Sequence, residues 1–196
     1  ATSGIMHGGG WTPTGREQLK QMVRAGQLRL MLGTDAAAEG LQYLTFSLAG
    51  EEYGIDILKV QEIRGWAPVT KVPNAPAFVR GVMNLRGAIV PVIDLRLRFG
   101  LEAIEYTKTT VVIVVMVQGA TGNRVIGAVV DGVSDVLNLQ AADIQPAPDF
   151  GTAVHTEFIS GLVTIEAGMV MLLNVDRLLN VEKLFALVAA PGQLAA

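Results

Sequence analysis

The run Thr109–Val117 constrains the fold more than any other stretch of the chain. It reads Thr-Thr-Val-Val-Ile-Val-Val-Met-Val, almost entirely β-branched. Such side chains lose χ1 freedom in a helix and favour extended backbone. A strand with one wet face alternates apolar and polar residues. This run does not alternate, so it predicts a strand covered on both faces. It is also far shorter than the roughly 20 apolar residues that a membrane-crossing helix requires.

The flanking sequence predicts more strands, closely spaced. Leu44, Phe46 and Leu48 alternate with Tyr43, Thr45 and Ser47, and Tyr53, Ile55 and Ile57 alternate with Gly54 and Asp56. With Ala49-Gly50-Glu51-Glu52 as a turn between them, the two segments predict a hairpin. Further strands are expected at 60–64, 82–85, 88–95, 125–130 and 133–139, with Asp131-Gly132 as a bend between the last two. Leu162–Ile165 and Met169–Leu173 predict another hairpin around Glu166-Ala167-Gly168. Short helical turns are expected at Ala77–Arg80 and Arg96–Phe99, and a terminal helix from Asp176 to about Val188. Segments 69–76, with two prolines, and 146–157, opened by Pro146-Ala147-Pro148, are expected as loops. Short strands with glycine turns, and no alternation of strand and helix, predict a mainly β barrel or sandwich closed by a helix.

Residues 1–40 differ from this pattern. Ala1–Gly10 is rich in glycine and small residues, which favours a flexible extension. Thr14 and Glu17 have the spacing of a capping box, so Thr14–Leu32 is expected to be helical, either as a partner-binding or membrane-surface helix or as a solvated, partly formed one. Residues 34–40 are small and acidic, as in a linker.

Reactive groups are scarce. The 196 residues include no cysteine, which excludes disulfides and thiolate chemistry. The only histidines, His7 and His155, lack neighbours at metal-ligand spacing. No phosphate-binding glycine loop opens a helix. Ser47, Ser134 and Ser160 do not sit in a nucleophile elbow. A hydrolase built on Asp131 or Ser160 would need a base that the spacing does not provide. The net charge of −3 and 6% aromatic content argue against a nucleic-acid barrel, which uses basic residues interleaved with aromatics. A domain of this kind is expected to work by binding, with no catalytic residue, no metal and no cofactor.

Three stretches carry a resemblance. They are Glu51-Glu52-Tyr53-Gly54-Ile55-Asp56-Ile57-Leu58-Lys59-Val60-Gln61-Glu62-Ile63-Arg64-Gly65, then Pro76-Ala77-Phe78-Val79-Arg80-Gly81-Val82-Met83-Asn84-Leu85-Arg86-Gly87 followed by Ile89-Val90-Pro91-Val92-Ile93-Asp94-Leu95, and Gly127-Ala128-Val129-Val130-Asp131-Gly132-Val133-Ser134-Asp135-Val136-Leu137. In this order and spacing, the chain from Leu41 to about Leu187 resembles the CheW family of chemotaxis adaptors. The resemblance implies two five-stranded SH3-like β-barrels packed around a common hydrophobic core, over residues 41–188, with 189–196 as a tail. It implies a non-catalytic scaffold that couples the histidine kinase CheA, through its regulatory domain, to the cytoplasmic tip of a chemoreceptor (a methyl-accepting chemotaxis protein). The expected place is the cytoplasm, at the receptor array, with neither nucleic acid nor direct membrane insertion involved.

The resemblance also suggests residues for two faces. On the receptor side they are Arg86 with Glu62 as its ion-pair partner, Val60 and Val112 as apolar groove residues, and Arg80 and Gly81 at the rim. On the kinase side they are Leu44 and Ile57 on the first hairpin, and Phe150 as an aromatic anchor of a second contact. Gln145 stands where many family members carry a basic residue, so a charged part of that second contact is not expected here.

Overall fold

The computed structural model describes residues 40–120, 122–148 and 157–180. The arm 1–39, the residues around Phe150 and the expected helix beyond residue 180 lie outside the described residues. Ten strands run in the order β1 (Leu41–Leu48), β2 (Glu51–Asp56), β3 (Val60–Gly65), β4 (Val79–Leu85), β5 (Ala88–Asp94), β6 (Val111–Gly119), β7 (Gly122–Val130), β8 (Gly132–Leu139), β9 (Ile159–Ile165) and β10 (Gly168–Leu173). Two short helices, α1 (Leu95–Arg98) and α2 (Val175–Leu178), follow β5 and β10.

The strands form two five-stranded sheets, ordered β8-β1-β2-β10-β9 and β3-β6-β7-β5-β4. Each sheet curls towards closure. In the first, the segment after β8 reaches β9 by paired backbone bonds between Gln145 and Leu162, both 2.8 Å. In the second, Thr70 and Val82 are joined in the same way at 2.9 and 2.8 Å. The hairpin β1–β2 and the hairpin β6–β7 lie in different barrels. The chain passes between barrels twice, through a 3-10 turn at Ile57–Lys59 and through Asp131.

The β-branched run becomes β6, central in its sheet between β3 and β7. Val111 to Val115 are each no more than 2% exposed. Its residues divide between two clusters. Val111, Ile113, Val115 and Val117 join Leu44, Phe46, Leu48, Ile63 and Ile126 in the large shared core. Val112 and Val114 pack with Val92 and Val129 inside the barrel wall. This explains the absence of alternation, because both faces of the strand are apolar contacts. Burying each such side chain contributes about 1.5–3 kcal/mol. A line of aromatic rings crosses the seam: Phe46–Tyr53 at 5.9 Å, Tyr53–Phe99 at 5.5 Å and Phe99–Phe158 at 5.3 Å between centroids.

The local expectations fail at two points. Ala77–Arg80 is not a helical turn, because β4 begins at Val79, paired with Ile93. The amide of Asp94 donates to the Phe78 carbonyl at 2.7 Å, so this segment is committed to the sheet. Thr45 was expected on a wet face but is 3% exposed. A bulge shifts the β1–β8 register between Leu44 and Phe46, and the Thr45 hydroxyl there exchanges bonds with the Asp135 carbonyl and amide at 3.0 and 2.9 Å.

Candidate functional site

Two of the residues expected on the receptor side, Glu62 and Arg86, meet only because the second barrel closes. β3 and β4 are opposite edges of their sheet. Curvature nevertheless brings Glu62, on β3, to the turn between β4 and β5. There the Arg86 guanidinium donates to Glu62 Oε2, and Arg64 Nε lies 3.7 Å from Glu62 Oε1. The Glu62 side chain is 11% exposed and that of Arg86 is 63% exposed. A single sheltered carboxylate thus faces two guanidinium groups. Arg64 also lines a shallow cleft with Pro68, Thr70, Val82, Met83 and Asn84.

The turn itself is unusual. Both of its central residues have positive φ, 51° at Arg86 and 88° at Gly87. Asn84 Oδ1 accepts from the Gly87 amide at 2.8 Å and braces the loop. Two-residue hairpin turns with two positive φ angles favour Asn-Gly, and a bulky side chain there costs about 1–2 kcal/mol. Arg86 is held in that conformation with its side chain 63% exposed. Ile89, directly across the hairpin from Asn84, is 67% exposed and leaves an apolar side chain in solvent beside the turn.

The other expected receptor-side residues are placed differently. Val60 and Val112, each 1% exposed, belong to the two cores and offer no surface, so the expectation that they line a groove is corrected. Gly81 has φ +144°, and a Cβ there would lie 2.2 Å from the Thr70 carbonyl oxygen. Its role in the structure is to let the Thr70–Val82 bridge close. Arg80 is drawn into an aromatic group, its guanidinium 5.4 Å from the Tyr106 ring, which tilts against Trp66 at 4.2 Å. The Tyr106 hydroxyl donates to Asp94 Oδ2 at 2.6 Å, and Asp94 also caps α1 through the Leu97 amide. Burial, then the bond to Asp94, pushes the Tyr106 phenol up from its ordinary value. It therefore stays a donor at any physiological pH. Tyr106→Phe is expected to cost roughly 1–3 kcal/mol, because the buried Asp94 loses a partner. Urea unfolding measures this, and an unchanged midpoint would show that the bond is not stabilising.

On the kinase side, Leu44 and Ile57 are 1% and 6% exposed and lie in the shared core. The expectation that they form contact surface is corrected: β1 directs Leu44, Phe46 and Leu48 inward together. Their neighbours Leu41 and Leu58, at 46% and 73% exposure, are the apolar side chains which that region presents outward. Phe150 lies outside the described residues. Gln145 uses its backbone to close the first barrel. Sequence reasoning missed Arg64, Ile89 and Leu58, since nothing local distinguishes an outward leucine in Ile57-Leu58 from an inward one.

The candidate catalytic groups have structural partners. Ser160 Oγ donates to the Leu172 carbonyl at 3.1 Å, and Ser134 Oγ to Glu52 at 2.8 Å. Asp131 pairs with Arg96 and accepts the Ala49 amide at 2.8 Å.

Comparison with known proteins gives a consistent result. The CheW-like domain family matches residues 42–183. A chemotaxis protein CheW from Klebsiella aerogenes is 50% identical over 145 residues, covering 74% of this chain and 85% of the relative. A chemotaxis protein CheW from Rhizobium meliloti is 40% identical over 144 residues, covering 74% and 90%. The crystal structure of the scaffolding protein TtCheW from Thermoanaerobacter tengcongensis matches with a TM-score of 0.63 at 34% identity, over 71% of this chain and 92% of that one.

Proposed function

The chain belongs to the CheW family, and on that premise we propose that it bridges the regulatory domain of the kinase CheA and the cytoplasmic tip of a chemoreceptor. It is a scaffold of chemotaxis signalling. The Arg86 cluster is the receptor face. The outer surface of the first hairpin and its crossover, with Leu41 and Leu58, is the kinase face. No bond is made or broken. A change in the receptor alters its binding free energy to this chain, and the shared core carries the difference to the kinase. Couplings of this kind are typically about 1–3 kcal/mol. The site of action is the cytoplasmic side of the receptor array, reached through partners.

The observation that carries this reading is Arg86, an exposed cation held at positive φ over a sheltered carboxylate. Such a group has donors left for an amide or carboxylate of a docked helix. Ser160 and Asp131 fit the same reading, since the first donates to the Leu172 carbonyl and the second pairs with Arg96, so both serve the frame of the fold.

Bridging is tested by sedimentation of the full chain with a CheA regulatory domain and a receptor cytoplasmic fragment, separately and together. Two binary complexes and one ternary complex are expected. Mutually exclusive binding would overturn the proposal.

A further inference from the structure

The two halves of the chain repeat one folding unit, with their hairpins exchanged between barrels. β1–β2 sits with β8, β9 and β10, while β6–β7 sits with β3, β4 and β5. The registers correspond. Leu44 faces Ile55 and Val136, as Ile113 faces Ala128 and Ile63, and the β1–β8 and β3–β6 pairings each carry a bulge, between Leu44 and Phe46 in one and between Val60 and Glu62 in the other. The Phe158 carbonyl accepts from the Asn174 amide at 2.8 Å, as that of Phe78 does from Asp94 at 2.7 Å. Gly161 underlies the Gln145–Leu162 bridge as Gly81 underlies Thr70–Val82.

This equivalence extends to two ion pairs at the crossovers between barrels. In one, Arg96 of α1 pairs with Asp131 of the second crossover, and Asp131 accepts the Ala49 amide at the end of β1. In the other, Asp176 of α2 pairs with Lys59 of the first crossover at 2.8 Å, and Asp176 accepts the Gln118 amide, in β6, at 2.7 Å. Arg96 and Asp176 hold the same position in their short helices. Ala49 and Gln118 hold the same position after Leu48 and Val117. The helix and strand-end places correspond, the crossover residues are one position apart, since Asp131 matches Leu58 in the shared register, and the charges are reversed. Each pair ties the helix that follows one barrel to the crossover and to the opposite barrel's hairpin. The first is well sheltered, with side chains 12% and 22% exposed, and the second is more open, at 29% and 27%.

We propose that these pairs are matched latches setting the orientation of one barrel on the other, and that the open latch, Lys59–Asp176, is the positioning contact for the docking cluster. Lys59 ends the 3-10 turn that feeds directly into β3, which carries Glu62. Fixing Lys59 fixes the entry of β3 and therefore where Glu62 presents Arg86. The docking part of this inference rests on the receptor reading above; the orientation part does not.

The reversed polarity of the twin makes a specific test possible. The chain has no cysteine, so Ala88→Cys and Thr164→Cys, exposed on different barrels, place two spin labels uniquely. In this background, Lys59→Asp and Asp176→Lys each set like charges against one another. The double swap, Lys59→Asp with Asp176→Lys, recreates the polarity of Arg96–Asp131. Each single variant is expected to broaden the interspin distance distribution in the labelled chain and, in the cysteine-free and unlabelled chain, to weaken receptor-fragment binding about tenfold, within the usual range of coupling. The double swap is expected to restore a narrow distribution and an affinity within about twofold of the parent. Should a single variant unfold, Asp176→Asn, which removes only the charge, gives the same comparison in milder form. Narrow distributions in the single variants, or a double swap no better than either, would overturn the latch. Broadening without loss of affinity would overturn the positioning role. A parent chain that fails to bind the receptor fragment defeats the docking reading instead, and the distance measurement still decides the latch.

Discussion

Gly81→Ala is expected to destabilise the chain by roughly 4 kcal/mol. Two costs combine. At φ +144° an L-residue adopts a conformation that is essentially confined to glycine, costing about 1–3 kcal/mol. The added Cβ would stand 2.2 Å from the Thr70 carbonyl oxygen and 2.8 Å from its carbon, both backbone atoms that cannot turn aside. Relieving that overlap opens the Thr70–Val82 bridge, which closes the second barrel, and overpacking of this kind adds about 1–3 kcal/mol. Gly87→Ala is the control. It also has positive φ, 88°, but its Cβ would meet nothing within 4 Å, so only the conformational cost of about 1 kcal/mol applies. Urea unfolding of the two variants separates the terms. Equal midpoints would mean that the contact with Thr70 is not what requires glycine. Gly81→Ala is also expected to lose binding to both partners, as a folding defect does, whereas a rim contact would affect only one.

Arg86→Ala is expected to give the opposite profile. The side chain is 63% exposed, and its pair with Glu62 is partly in solvent. Such pairs contribute about 0–1 kcal/mol to stability, so the unfolding midpoint should barely move. Binding is different, because docking dries the cluster and a truncated charged anchor then costs about 2–4 kcal/mol, or roughly 30-fold to 1,000-fold in receptor affinity. Glu62→Ala should lose both. It leaves Arg64 and Arg86 facing each other without their shared carboxylate, and it empties a buried position. The measurement is isothermal titration with the receptor fragment, with thermal unfolding beside it. An Arg86→Ala chain that binds as tightly as its parent would remove Arg86 from the interface.

Much of the fold was legible because its strands announce themselves locally. The runs at Leu44–Leu48, Tyr53–Ile57 and Val111–Val117 and the turn at Glu166-Ala167-Gly168 each carry their periodicity or punctuation in a few residues. The cluster around Arg86 was legible in part. Asn84-Leu85-Arg86-Gly87 stood out as a motif, and Glu62 was paired with it by resemblance. Arg64, Ile89 and Leu58 were not found, because a cluster across two sheet edges leaves no spacing in the sequence. Leu44 and Ile57 were assigned to a surface by resemblance, which put a hydrophobic interface on the first hairpin without saying which face of the hairpin meets a partner. Thr45 broke the alternation because a bulge changed its neighbours.

From composition and pattern alone come a mainly β chain without thiols and a strand buried on both faces. These follow from side-chain branching, burial and turn chemistry, all local properties. The exchange of hairpins between barrels, the approach of Arg64 to the Glu62–Arg86 pair and the reversed ion pairs at Asp131 and Asp176 belong to the tertiary structure alone. They depend on closure of each sheet and on two crossovers, which bring together residues distant along the chain, and short-range preferences do not encode that distance.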